Sequence, residues 1–477
     1  MIKNKLILYI HPRSSSIEFQ ICIPVGIVSL VGSLLKAGYI VHGINLQFEY
    51  ERDPRFNFEK WLQSQEFDIV LIDLHWLHHS YDSIELARMV KCVRKNSSII
   101  LGGLTSSFFG KEILKDYWFV DFVVRGEGEP VIAALVKAIY DKSTDYEALP
   151  NLLWKKDGEV HSSKHQQVIS NLNNIDCIGI SFMRGWEQML ENTIGLRMNV
   201  PNSDKRAYWL INGRGCNHGC IYCGGSNGSF ETICARVNLE FRSIKRIVED
   251  IKILKRLNID TIGFTHDIVE TDGNCGINLL EQIQSLDLGV VNHLFRPAST
   301  KFTRMFANSV DPDRSLLGLT VISGDENVRR INGRLYSNRD LLNFLHECYN
   351  TEIPVMLSFS CNVPGSSVKS FERTIELLKR ILDSKLQTRL SLGLSLAMLE
   401  PGSPISQYAN IYGVRAYWTS FSHYYKRFSP DFKEDLNVLG ESMLREITGF
   451  ELEELKVKDV IEHIRNFRKV TNGMLCS

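Results

Sequence analysis

Along the first 140 residues, short apolar runs alternate with stretches of helical spacing, and this alternation narrows the fold more than any other feature of the sequence. KLILYI (5–10), YIVHGINL (39–46), DIVLIDL (68–74), SIILGG (98–103) and VDFVVRG (120–126) are near-continuous apolar runs, as in strands buried on both faces of a parallel sheet. Between them, 25–37, 82–94 and 129–140 read as amphipathic helices. Five β/α units in succession predict a flavodoxin-like doubly wound sheet over 1–142. In such a sheet the ligand lies beyond the carboxyl ends of the strands, at the switch point between the first and third. The loops at 11–16 and 75–81 fall there, with Pro12, Arg13, Ser14, His75 and Trp76. Behind the fourth strand, GGLTSS (102–107) supplies Gly102, Gly103, Leu104 and Thr105, where a bulky ligand could approach the backbone closely. Behind the fifth, RGEGEP (125–130) places Gly126 and Glu127 in a tight turn into a helix.

A second pattern starts after an irregular stretch. LPNLLWKKDGEVHS reads as a small hairpin around Asp157-Gly158, inside a linker spanning 143–204. RAYWLINGRG (206–215) is then a strand that delivers NGRGCNHGCIYCGG (212–225), with three cysteines and five glycines in fourteen positions. Cys216, Cys220 and Cys223 would share one helical face, but each glycine costs about 1 kcal/mol in a helix interior, so the segment is a loop. Thiolates are soft ligands for zinc or iron–sulfur clusters. Structural zinc needs a fourth ligand, for which His218 and Cys234 are the nearby candidates. Three cysteines alone leave one iron of a cubane cluster open.

The chain has 477 residues, 44% apolar and 23% charged, enough for two or three domains. Lys+Arg and Asp+Glu are both 55, so no overall field favours nucleic acid or an anionic membrane. The uncharged run 21–35 contains Pro24, Gly26 and Gly32 and is shorter than the about 20 residues of a membrane span. The apolar run near the start is too short for a signal peptide. The expectation is a soluble cytoplasmic protein with reduced thiols and one metal site.

CNHGCIYC resembles the radical SAM (S-adenosylmethionine) signature, Cys-x₃-Cys-x-aromatic-Cys, with Tyr222 as the aromatic residue. The chain from 205 to 413 resembles that family's partial (β/α)₆ barrel. FRSIKRIVEDIKILKRLNIDTIGFTHD (241–267) corresponds to its first helix and second strand, LLGLTVISGDENVRRINGR (316–334) to its fourth strand, and LEPGSPISQYANIYG (399–413) to its strand-six exit. The resemblance implies a 4Fe–4S cluster on Cys216, Cys220 and Cys223. It also implies SAM contacts from Tyr222, Gly224, Gly225, His266, Asp267, Arg296 and Ser323, with Asp267 favoured for the amino group. Where the family often has Glu-Ser for the ribose, this chain has Ile322-Ser323. The first 140 residues, with Pro24-x-Gly26, Gly102-Gly103 and RGEGE, resemble the cobalamin-binding domain that precedes many radical SAM barrels. That resemblance assigns the loop residues named above to cobalamin. No Asp-x-His-x-x-Gly supplies a ligand to cobalt, because His11 is followed by Pro-Arg-Ser-Ser.

Together the two resemblances imply a cobalamin-dependent radical SAM enzyme, most simply a methyltransferase in which one SAM methylates cobalamin and another generates a 5′-deoxyadenosyl radical. A radical cyclase or rearrangement enzyme is the alternative, and a cobalamin sensor with a vestigial barrel is the non-enzymatic one. A small molecule or peptide is the expected substrate, and flavodoxin or ferredoxin the kind of reductant. Neither nucleic acid nor membrane is expected as a partner. The loops at 11–16 and 75–81 should oppose those after 223 and 264 across a shared cavity. The remaining residues, 414–477, read as a helical region whose aromatic run (Tyr417, Trp418, Phe421, Tyr424, Tyr425 and Phe428) suits packing, or a lid.

Overall fold

A computed structural model describes residues 6–14, 23–191, 206–270, 275–384, 389–432 and 441–471. The five apolar runs form β1 (Leu6–His11), β2 (Ile40–Asn45), β3 (Ile69–Asp73), β4 (Ser98–Gly102) and β5 (Phe122–Val124). They are parallel in the order β2-β1-β3-β4-β5, with the switch point between β1 and β3. Side chains alternate between two helical layers: Ile7 and Tyr9 enter one core, Leu8 and Ile10 the other. This two-sided burial is why the runs read as continuous rather than alternating.

Two differences from expectation follow from packing. The hairpin, β6 (Leu152–Lys156) and β7 (Glu159–Ser162), is part of the first domain: β6 pairs antiparallel with β5 and extends the sheet to seven strands. The GGLTSS stretch opens a helix, Leu104–Asp116, and is not a loop throughout. Gly103 takes φ +113° as its cap, and the hydroxyls of Ser106 and Ser107 turn back to the Gly103 carbonyl at 3.0 and 2.6 Å.

The second domain begins with β8 (Arg206–Leu210). A short antiparallel ladder follows, β9 (Gly213–Arg214) with β10 (Glu240–Phe241). Then come β11 (Ile259–Phe264), β12 (Gly289–Leu294), β13 (Leu316–Ile322), β14 (Val355–Ser360) and β15 (Leu390–Ser395). All six long strands are parallel, in the order β15-β14-β13-β12-β11-β8, which is the expected partial barrel.

The C-terminal region ties the domains together. β16 (Val414–Ala416) pairs with β17 (Phe450–Leu452). The helix Phe421–Arg427 packs on the first-domain helices Ser80–Val93 and Leu104–Asp116, and Val457–Thr471 packs on the barrel helix Val368–Asp383. Trp418, Phe421, Tyr424 and Phe428 are buried in a core shared with the first sheet, so the aromatic run is packing. No helix among the described residues is long and apolar enough to cross a membrane.

Candidate functional site

The cysteine loop is held by its glycines and by Asn212. Gly215 has φ +97°, and a Cβ there would lie 2.5 Å from the Asn238 carbonyl oxygen. Asn212 Oδ1 accepts from the His266 amide at 2.9 Å, and its Nδ2 donates to the His266 carbonyl at 2.8 Å, pinning the loop to the end of β11. Cys220 is buried, and Cys216 and Cys223 are half-buried. Backbone amides point at two sulfurs: His218 N to Cys216 Sγ at 3.4 Å and Gly225 N to Cys223 Sγ at 3.3 Å. Burial raises all three thiol pKa values, Cys223 most, so metal must displace protons here. Tetrahedral zinc with Zn–S of about 2.3 Å would need sulfurs about 3.8 Å apart. Among the described residues no group of three ligands stands ready to hold a single ion, although Cys216 lies within electrostatic reach of Cys220, and Cys223 of both. The donor set therefore suits a cluster better than one zinc.

The expected SAM residues divide sharply. Asp267 is 1% exposed and its carboxylate is spent inside the protein, accepting from Asn292 Nδ2 at 2.9 Å, Val269 N at 2.9 Å and Phe295 N at 3.1 Å. It stitches β11 to β12 and does not face the cysteine loop with a free oxygen. His266 is likewise structural: Nε2 lies 2.9 Å from the Gly215 carbonyl oxygen. Ser323 turns its hydroxyl toward Thr374 Oγ1 at 3.2 Å and the Asp325 amide at 3.1 Å, on the helix side of the sheet. Ile322 beside it is fully buried at φ +72°, a strained backbone for a β-branched residue. Gly224 donates to Glu400 Oε2 at 2.6 Å, Gly225 caps Cys223, and Tyr222 lies in the field of Arg334. Arg296 is mostly exposed, 3.8 Å from Glu270.

Three residues missed in the sequence surround the loop. Glu270 lies 3.3 Å from His218 Nε2, and His218 stacks on Phe295 with ring centroids 4.1 Å apart. Arg334 is buried, donates to the Phe295 carbonyl at 2.9 Å, and follows Gly333, where a Cβ would come 3.2 Å from Gly219. Glu400 is the third. The signal for Glu270 was its position one turn beyond Asp267 on the same exit loop; Arg334 and Glu400 had none.

In the first domain, Gly102 faces open space, whereas a Cβ on Gly103 would strike the His75 backbone at 2.5 Å. Gly102 thus leaves open space beside the backbone, and Gly103 serves close packing of two loops. Thr105 Oγ1 donates to the His75 carbonyl at 2.9 Å, with Leu104 half-buried beside it. Ser14 Oγ is buried without a hydrogen-bond partner among the described residues, Pro12 is buried, and Arg13 lies over the Tyr50 ring at 5.0 Å. Residues 15 and 16 of the first loop lie outside the described residues. Trp76 is 49% exposed, its ring nearly parallel to His78. Burial keeps His75, His78 and His79 neutral, with His78 pushed down to about 4. Open space at Gly102, an orphaned hydroxyl and an uncovered indole fit a large planar ligand.

Gly126 and Glu127 do something else. A Cβ on Gly126 would lie 2.9 Å from Cys234 Cα, and Glu127 pairs with Arg236 while accepting from Ile169 N at 2.7 Å. Beside them Glu129 receives Arg214 on both oxygens, Nη2–Oε1 at 2.6 Å and Nη1–Oε2 at 3.1 Å, and also the Ser29 hydroxyl. The RGEGE turn therefore latches the first domain to the strand that carries Cys216. At this turn the carboxyl end of the first sheet meets Cys234, Arg236 and Arg214 of the second domain.

Two family models match the chain: the B12 binding domain over residues 19–136 and the radical SAM superfamily over 210–378. The chain is 27% identical to the anaerobic magnesium-protoporphyrin IX monomethyl ester cyclase of Cereibacter sphaeroides, over 54% of this chain and 39% of that one. It is 23% identical to an uncharacterized methyltransferase of Pyrococcus horikoshii, over 60% and 58%. It thus spans about half the length of the curated relatives it matches. In fold it is similar to the radical SAM methyltransferase TsrM of Kitasatospora setae, solved with cobalamin and a 4Fe–4S cluster, with TM-score 0.72, 14% identity, and 99% and 93% of the two chains covered. The chain thus carries a B12-binding domain followed by a radical SAM domain, an architecture whose cofactors are a 4Fe–4S cluster, SAM and cobalamin.

Proposed function

We propose that the chain is a cobalamin-dependent radical SAM methyltransferase acting on a small molecule or peptide, fed by a flavodoxin- or ferredoxin-type reductant. The observation that carries this is the latch: Arg214, two residues before Cys216, is bound bidentately to Glu129 of the B12-binding domain. When bound, the cluster and SAM supply a 5′-deoxyadenosyl radical and cobalamin carries the methyl group. The protein's share is placement, since about 1 Å of misalignment can cost on the order of 100-fold in rate. Cys216, Cys220 and Cys223 hold the cluster, and Arg334 offsets its negative charge. Glu270, in place of Asp267, is the carboxylate to meet a SAM ammonium group: Oε2 faces His218, while Oε1 has no hydrogen-bond partner among the described residues. Gly102, Ser14 and Trp76 receive the corrin. A cyclase remains the second reading, because the first relative is one.

The test is anaerobic reconstitution with iron, sulfide and hydroxocobalamin. Wild type should hold about four irons and one cobalamin, and Cys216→Ala/Cys220→Ala/Cys223→Ala should lose the iron while keeping cobalamin. A triple variant with a full cluster, or wild type with one zinc, contradicts the reading.

A further inference from the structure

The concave face of the barrel holds residues that the cluster loop does not use. Strand alternation sends Leu317, Leu319, Leu357 and Phe359 into the helix-covered core. Their neighbours Leu316 and Met356 meet Ala207, Val291 and Trp209 in a separate cluster that floors the lumen at the amino-terminal ends of the strands. Above that floor the inward positions become small and hydroxylic: Gly318 and Gly393, then Thr320, Ser358 and Ser360, the hydroxyl residues all half-buried. Arg206 and Asp260 are the charged residues of the six strands, and both turn outward, to Glu191 and to Lys255. Among the inward positions of the six strands the one titratable side chain is His293.

His293 is placed with care. Its ring runs nearly parallel to Trp209, with centroids 6.1 Å apart at 22°. A Cβ on Gly318 would lie 2.5 Å from its Nδ1, so the glycine makes room for the ring. The residue is exposed by surface area, yet enough protein surrounds it to push its pKa down. It makes no hydrogen bond within the described residues.

With the barrel taken as the reaction chamber, we infer that His293 contacts the substrate as a hydrogen-bond acceptor, and that the substrate is a flat, uncharged molecule bearing N–H or O–H, rather than a phosphorylated or otherwise anionic one. A buried anion would need a cation or several amides to offset its desolvation, and among the described residues the inward positions of the six strands supply no cation, Arg296 and Arg334 lying beyond the strand ends. Hydroxyls and a neutral imidazole pair with uncharged polar groups and leave analogues without them unpaired. The parallel Trp209 and His293 rings offer a flat wall. This inference rests on the proposed function only in taking the barrel as the reaction chamber.

The probes are 2-naphthol and 2-naphthalenesulfonate, one ring system with and without charge, titrated into reconstituted full-length enzyme by fluorescence. Wild type should bind the naphthol saturably and at least tenfold more tightly than the sulfonate. His293→Gln should weaken the naphthol at least threefold. At Gly393 the nearest atom to a Cβ is Ser358 Oγ at 3.6 Å, so Gly393→Leu is accepted by the backbone and fills the lumen. It should abolish binding while iron content and the cobalamin spectrum stay as in wild type, and it decides the matter if His293→Gln fails to fold. Equal binding of the two probes, or naphthol binding indifferent to Gly393→Leu, overturns the inference. Wild type that never retains cluster or cobalamin would instead count against the proposed function.

Discussion

Replacing Glu129 with Gln should loosen the whole molecule more than one buried residue ordinarily does. The Arg214 and Glu129 side chains are 16% and 8% exposed, so the pair is shielded from water. Burial alone would raise the Glu129 pKa, but Arg214 and the Ser29 hydroxyl hold it below the usual carboxylate value. Removing one partner of a buried pair costs about 3–5 kcal/mol, because the other charge is left uncompensated. Here Glu127 stays 3.7 Å from Arg214, which puts the expected cost near the lower end, about 3 kcal/mol. Replacing both with Met removes the orphaned charge, so Arg214→Met/Glu129→Met should recover most of the loss. Urea unfolding followed by circular dichroism and by cluster absorbance measures this. The two probes should move together in wild type and begin to separate in Glu129→Gln, since the latch is one of the contacts that join the domains. A Glu129→Gln protein within about 0.5 kcal/mol of wild type, or a double variant as unstable as the single, would refute the argument.

Other consequences can be checked directly. Burial raises Asp267 from 3.8 to about 6 against the opposing pull of Asn292 and two amides. The folded state therefore binds the proton more tightly than the unfolded one. Stability should fall as pH rises from about 4 to about 6, by at most about 3 kcal/mol, and then level off. Asp267→Asn should flatten that slope in chemical denaturation, and an unchanged slope would show that another group titrates. Gly102→Trp should block hydroxocobalamin uptake, read by absorbance after desalting, with the fold intact by circular dichroism. Gly103→Ala should destabilise the protein, because its Cβ meets the His75 backbone.

What the sequence disclosed, and what it hid, follows the range of the interactions. The parallel strands were legible because both faces of each are buried, and the cysteine loop because its glycines forbid a helix. Asp157-Gly158 announced a hairpin, and both residues take positive φ as such a turn requires. That the hairpin would join β5 depended on edge pairing, which no local pattern records. The direction of Asp267 was set by Asn292 and Phe295, on and just after another strand, so its spacing from the strand end misled. Glu270 lay three residues away and was overlooked for the same reason. RGEGE looked like a ligand turn because glycines permit close approach; what approaches is Cys234 and, beside it, two arginines of the other domain. Arg214 and Glu129 stand 85 residues apart, and nothing in the sequence between them announces the pair.

The most direct test of the central claim needs no substrate. The reconstituted, chemically reduced protein is incubated with SAM carrying a ¹³CD₃ methyl group, and its corrinoid is analysed by mass spectrometry beside 5′-deoxyadenosine. The account predicts ¹³CD₃-labelled cobalamin, with 5′-deoxyadenosine formed by wild type and absent from the triple cysteine variant. Unlabelled cobalamin on a protein that holds both cofactors, or 5′-deoxyadenosine from the triple variant, would contradict it.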